Sequence, residues 1–223
     1  MRVLRLGAIA VIAAAAMVLA GCSAAPSLSA TATLVADPSV VAIGDSIMRG
    51  HGLTPDQAWP ALMAAHDDWQ LDNLACDGAG FLAVGDSSEC GGTFASLVAQ
   101  AVALHSRTII IEGSSNDFGE SNSSLLPETL AQLKELRAAL PHAQIIGLST
   151  IWGDTAVPAQ LADVDQQVRT AVTSIGGVFL DIGQPLGGHP EWMQSDDVHP
   201  TTAGQVAIYA AVQAAFDRAN VHA

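Results

Sequence analysis

Four short apolar runs constrain this chain more than any other feature of its sequence. Val40-Val41-Ala42-Ile43 ends at Gly44, and Thr108-Ile109-Ile110-Ile111 ends at Glu112-Gly113. Ile145-Ile146-Gly147-Leu148 ends at Ser149-Thr150, and Val178-Phe179-Leu180 ends at Asp181. Runs this short and this continuously apolar predict strands covered on both faces, the condition found in a parallel sheet. Leu71-Asp72-Asn73-Leu74 is a weaker fifth candidate. Helical patterns lie between the runs, at 92–105, 127–140 and 159–175, and a last one starts at Thr202. Pro127 suits a first helical turn, and Thr202-Ala203-Gly204-Gln205 fits a capping box. Ile208, Val212 and Phe216 then fall on one face of that helix. Thr54-Pro55-Asp56-Gln57 reads as a further helix start, with Pro60 blurring where the helix begins. Strands alternating with helices predict an α/β domain, and ligands in such domains bind beyond the carboxyl ends of the strands.

The first residues are set apart from this pattern. Arg2 and Arg5 precede an apolar run from Leu6 to Leu19, which is short for a membrane span. Leu19-Ala20-Gly21-Cys22 resembles the lipobox of bacterial lipoproteins, in which cleavage precedes a lipidated cysteine. The alternative is an ordinary secretory signal with a cysteine near its cleavage site. We therefore expect a lipoprotein signal peptide over 1–21, a flexible tether over 22–37 and one domain over 38–221. The expected location is outside the cytoplasm, with a lipid on Cys22 holding the protein to the outer side of the bacterial membrane or envelope.

The chain carries 8 basic and 22 acidic residues, a formal charge of −14. Losing Arg2 and Arg5 with the signal would leave 6 against 22, or −16. So acidic a domain is ill suited to nucleic acid or to charge attraction toward anionic lipid. With Cys22 lipidated, Cys76 and Cys90 remain as an even pair in an oxidising compartment. They could form a disulfide closing a loop worth about 3 kcal/mol in the chain-entropy model, or stay as two buried thiols.

The residues that could carry chemistry follow the strands. Gly44-Asp45-Ser46 follows the first, although Met48 stands where a G-x-S-x-G elbow would need glycine. Asn73-Leu74-Ala75-Cys76-Asp77-Gly78 and Gly113-Ser114-Ser115-Asn116-Asp117 follow two others. A glycine N–H and an asparagine amide can both donate to a developing oxyanion. Asp196-Asp197-Val198-His199-Pro200 precedes the last helix. An aspartate three residues before a histidine can reach its ring in one local turn, and a serine nucleophile needs such an oriented base. His51 could line the cleft, but its position reads first as a solvated loop. Trp152, Trp192 and Met193 suit either cleft walls or ordinary packing.

The ordered set of four blocks resembles the SGNH hydrolases, also called GDSL esterases and lipases, over essentially the whole domain from Val40 to the last helix. The resemblance implies a three-layer α/β/α, flavodoxin-like SGNH fold with a five-stranded parallel sheet. It implies Ser46 as nucleophile, His199 as general base and Asp196 as the residue orienting it. Ser46, Gly78 and Asn116 would form the oxyanion hole, with no metal or organic cofactor. The substrate would be a small-molecule or envelope acyl ester. The chain departs from the family at Ser114, which occupies the usual glycine of Gly-x-Asn-Asp; this leaves the amide in place and changes the loop presenting it. An acyltransferase acting on envelope sugar or lipid would use the same residues. A non-catalytic binding module would lose one of Ser46, Asp196 and His199, all of which are present. A metallophosphoesterase would need further histidine-containing ligand motifs that the sequence lacks.

Overall fold

The computed structural model describes residues 39–223. The expected signal peptide, the lipidation site Cys22 and the tether lie outside the described residues. Five parallel strands form the central sheet: β1 (Ser39–Ile43), β2 (Gln70–Asn73), β3 (Thr108–Glu112), β4 (Gln144–Leu148) and β5 (Val178–Leu180). Their order is β2-β1-β3-β4-β5, so the chain leaves β1 outward to β2 and then crosses back to β3. That reversal opens a crevice at the carboxyl ends of β1 and β3.

Both sheet faces are covered, which is why the central strands β1, β3 and β4 are almost wholly apolar. Val41, Ile43, Ile109, Ile111 and Ile145 pack on one side with α3 (Phe94–Leu104), α4 (Asn122–Ala139) and α5 (Ala159–Ser174). The alternate residues Val40, Ala42, Ile110 and Ile146 pack on the other with α2 (Trp59–Asp67) and α6 (Thr202–Ala219). The short α1 (Ser46–Arg49) follows β1 directly. The result is the expected α/β fold with a five-stranded parallel sheet and helices in two outer layers.

Three local expectations are corrected. Helix α4 begins at Asn122, so Pro127 stands inside it and not in its first turn. The bond Pro127 cannot make, to the Ser123 carbonyl, falls on exposed residues where water can replace it, while Leu125 in the same segment is fully buried and draws the added turn onto the core. The residues 55–57 form a separate 3-10 turn, and Pro60 lies in the first turn of α2. At α6 the cap is Thr201, whose Oγ1 accepts from the Gly204 N–H at 3.4 Å. Gln205 does not fold back to that cap. Fully buried, it accepts from Trp59 N–H at 2.8 Å and donates to the Ile47 carbonyl at 2.8 Å. One side chain of α6 thus ties α1 to the start of α2.

A carboxyl pair is buried where β1 and β3 end. Asp45 and Glu112 are 2 % and 1 % exposed. The Asp45 N–H donates to Glu112 Oε1 at 3.2 Å, and Asp45 Oδ1 caps α1 by accepting from Ile47 N–H at 2.9 Å. A Cβ on Gly44 would stand 2.5 Å from Glu112 Oε1, so only glycine lets the pair approach. Burial pushes both carboxyls up, Glu112 well above its ordinary 4.5 because the neighbouring Asp45 charge adds to desolvation.

Replacing Gln205 by Leu leaves the buried Trp59 N–H without its acceptor and the Ile47 carbonyl with only the Gly50 N–H, which we expect to destabilise the protein by about 1–3 kcal/mol in urea unfolding. Glu112 makes a pH-dependent contribution. Its raised native value keeps a proton that the unfolded chain releases above the ordinary 4.5, so stability is full below that value and falls as pH rises toward the native one. A Glu112→Gln variant has no such proton to lose. Its stability relative to the parent should grow as pH rises above about 4.5, by up to ~1.4 kcal/mol per pH unit, in urea titrations of both proteins.

Candidate active site

Ser46 is the first residue of α1 and is 7 % exposed. Capping by Asp45 fixes the turn that lifts it off the end of β1. Its Oγ lies 2.9 Å from His199 Nε2, although 153 residues separate them. His199 Nδ1 lies 2.8 Å from Asp196 Oδ2. The other Asp196 oxygen accepts from the N–H groups of Val198 and His199, each at 3.0 Å. Asp197, at φ 57°, makes the bend that allows this, and the ring hydrogen bond goes to Asp196. The His199 N–H, the His199 ring and the Val198 N–H, in that order, hold the Asp196 carboxyl well below the usual carboxylate range. An ionised Asp196 keeps the ring proton on Nδ1, which leaves the Nε2 lone pair facing the serine hydroxyl.

The two loops beside this chain of hydrogen bonds are joined to it and to each other. Ser114 is fully buried. Its hydroxyl sits 2.7 Å from Asp45 Oδ2 and 2.8 Å from the Ala79 carbonyl. The serine that replaces the usual glycine is therefore the bridge between the Ser46 turn and the Gly78 loop. Asn116 Nδ2 donates to the same Ala79 carbonyl at 3.1 Å, which leaves its second amide proton free for the cleft. Gly78 sits at φ 74°, a backbone angle that side chains other than glycine rarely adopt. Among the described residues, the N–H groups of Ser46 and Gly78 have no protein acceptor. Asp117, fully buried, accepts from the N–H groups of Phe81, Leu82 and Ala83 at 2.8–3.0 Å and so fixes the remainder of that loop. Cys76 and Cys90 are joined, with sulfurs 2.01 Å apart, and close the loop that carries Asp77 and Gly78.

His51 is not merely a loop residue. Its ring stacks on His199, with centroids 4.1 Å apart and planes 28° from parallel. Its Nδ1 contacts Asp77, which also receives Arg49 at 3.2 Å. The only sequence signal was spacing, five residues after Ser46. The nitrogens and oxygens of His51, Asp196 and His199 come within 4.8 Å of one another. Both nitrogens of His199 are already engaged, and near-parallel rings aim their lone pairs side by side, so the trio is a poor ligand set for a metal.

Ile47, Ser115, Trp152, Gly153, Thr155, Asp197 and Val198 line a small pocket of about 110 Å³, and Ile47 and Val198 are the chain neighbours of Ser46 and His199. Phe118 packs edge-on against Trp152 at 5.6 Å and is itself 47 % exposed. Of the other candidate walls, Met193 is buried in the core and Trp192 stacks on His189 at 3.8 Å. A larger cavity of about 430 Å³ lies at the amino ends of β3 and β4, and none of the groups above reaches it.

Many solved structures share the fold. One is TesA, 19 % identical, with 81 % of this chain and 98 % of that one aligned at a TM-score of 0.62. The psychrotrophic esterase EstA from Pseudoalteromonas sp. is 17 % identical, with 82 % and 99 % aligned at 0.64. The salicylyl-acyltransferase SsfX3 from a tetracycline biosynthetic pathway is 18 % identical at 0.65; the alignment takes in 83 % of this chain and 55 % of that one. No curated protein matches the sequence. A profile of the GDSL-like lipase/acylhydrolase family matches residues 42–207, a span that contains Ser46, Gly78, Asn116, Asp196 and His199. By that match, over most of its length, the chain belongs to the GDSL-like lipase/acylhydrolase (SGNH) family.

Proposed function

We propose that this chain is a serine esterase that hydrolyses acyl esters through a covalent acyl-enzyme. The observation that carries the reading is the continuous hydrogen-bond chain Ser46–His199–Asp196, with unengaged N–H donors beside the serine. His199 Nε2 takes the Ser46 proton as Oγ attacks the ester carbonyl. The oxyanion forms against the Ser46 and Gly78 N–H groups and the free amide proton of Asn116. Collapse releases the alcohol, which leaves with the proton from His199. Water then repeats the sequence on the acyl-enzyme and releases the acid. Asp196 stays ionised throughout and stabilises the imidazolium.

The pocket beside Ser46 favours a short acyl group or a small apolar leaving group. Its about 110 Å³ holds only a few carbons, and its walls are Ile47, Trp152 and Val198. The sequence around Cys22 supports an exported, lipid-anchored enzyme acting on small esters or on esters of the envelope.

Hydrolysis of p-nitrophenyl esters from acetate to palmitate by residues 38–223 provides the test. We expect acetate and butyrate to be preferred and Ser46→Ala to fall to background. Asn116→Ala should lower kcat by about 10²–10³-fold while the fold is kept. Equal activity in the parent and Ser46→Ala would remove Ser46 as nucleophile. Silence of the parent on every ester, with product formed only when a sugar or lipid acceptor is added, would replace hydrolysis by acyl transfer.

A further inference from the structure

We infer that His51 is a positioning residue for His199, acting through its ring face and its bond to Asp77. The inference rests on the reading of His199 as the base. Two His–carboxylate pairs stand face to face: Asp196 holds His199, and Asp77 holds His51. The rings lie 4.1 Å apart and 28° from parallel, within stacking distance.

His51 is itself held from several directions. Its N–H donates to the Ser46 carbonyl at 3.0 Å. Its carbonyl accepts from Gln194 Nε2 at 2.7 Å, and Gln194 N–H donates to the His199 carbonyl at 2.7 Å. The backbone of His51 is therefore bonded both to the serine and to the turn that presents the histidine. Its Nδ1 bond to Asp77 sets the tautomer and the ring plane. A ring fixed this way forms a wall along one face of His199 and restricts its rotation away from Ser46 Oγ.

The wall also has an electrical role. His199 gains a positive charge each time it takes the serine proton. An uncharged flat ring leaves that charge unopposed, whereas a fixed cation at stacking distance would oppose it. The charged groups around His51 are Asp77 and Arg49, which share one contact, Glu89 paired to Arg49 at 2.9 Å, and Asp196 with His199 opposite. Asp77 is the one carboxylate bonded to the His51 ring.

Three substitutions separate these effects: His51→Ala removes the ring, His51→Phe keeps a flat neutral ring, and His51→Arg keeps a planar group that can reach Asp77 but is always charged. We expect kcat for p-nitrophenyl acetate to fall about 10-fold in the Ala variant with KM within about twofold, because misorientation of a catalytic group costs turnover and not binding. The Phe variant should recover to within about threefold of the parent, and the Arg variant should fall at least as far as Ala. The second readout needs no substrate. The proton shared by His199 Nδ1 and Asp196 gives a downfield NMR signal, which should broaden or shift in the Ala variant and return in the Phe variant. The amide spectrum of each variant reports whether the fold is kept. If the Ala variant keeps the parent's His199 signal, or the Arg variant is as active as Phe, the inference is overturned. A parent silent on every ester defeats the esterase reading instead, and the NMR comparison then decides the role of His51 alone.

Discussion

The pairing of β1 with β3 is the constraint on which the rest of the molecule depends. It sets Val40 to Ile43 against Thr108 to Ile111, and so brings the segments after both strands to one edge. Across that edge run the bonds that order the cleft: Asp45 to Glu112, and Ser114 to both Asp45 and Ala79. Three loops distant in sequence are joined through a handful of buried polar atoms. Each of those atoms would be costly to bury alone, and together they fix where Ser46 and Asn116 stand.

The arrangement sets stability against function in one place. A carboxyl whose hold on its proton is raised by burial is kept in the interior next to a second one, with one Glu112 oxygen lacking a partner among the described residues. Nothing in packing alone calls for this. An apolar residue at 112 would fill the strand end and leave the Asp45 N–H without its acceptor, at the head of the turn that carries the serine. Strained or under-satisfied groups often collect beside reactive ones, and here the connection can be traced atom by atom.

Much of the fold was legible in the sequence because β1, β3 and β4 are buried on both faces and have no polar alternation to confuse them, and β5, though at an edge, is apolar throughout. Strand β2 was the weakest because it is an edge strand, and Gln70, Asp72 and Asn73 are exposed. Ser46, Asp196 and His199 were legible as a set because they lie in motifs with local order. What failed was what depended on a side chain's destination. Gln205 has the spacing of a capping residue, yet the neighbouring α2 offers it a buried N–H. Pro127 has the look of a helix start, yet an earlier turn gains a buried leucine. His51 looked like a loop residue because its partners, Asp77 and His199, are brought to it only by the folded chain. Glu112 did carry a signal, an acid ending an otherwise apolar strand, that could have been read as a buried polar link.

The order of the parts along the chain has a consequence in time. Synthesis through β4 provides Ser46, the Cys76–Cys90 loop with Gly78, and Asn116. His199 and Asp196 arrive only with the segment between β5 and α6. Gln205, in the first turn of α6, then ties that helix to α1 and α2. A nascent chain therefore holds the Ser46 hydroxyl and its neighbouring donors for most of its growth without the ring that faces it in the folded protein. The contact between Ser46 and His199 closes only when the last segment is in place, so completion of the fold and assembly of the cleft are a single event.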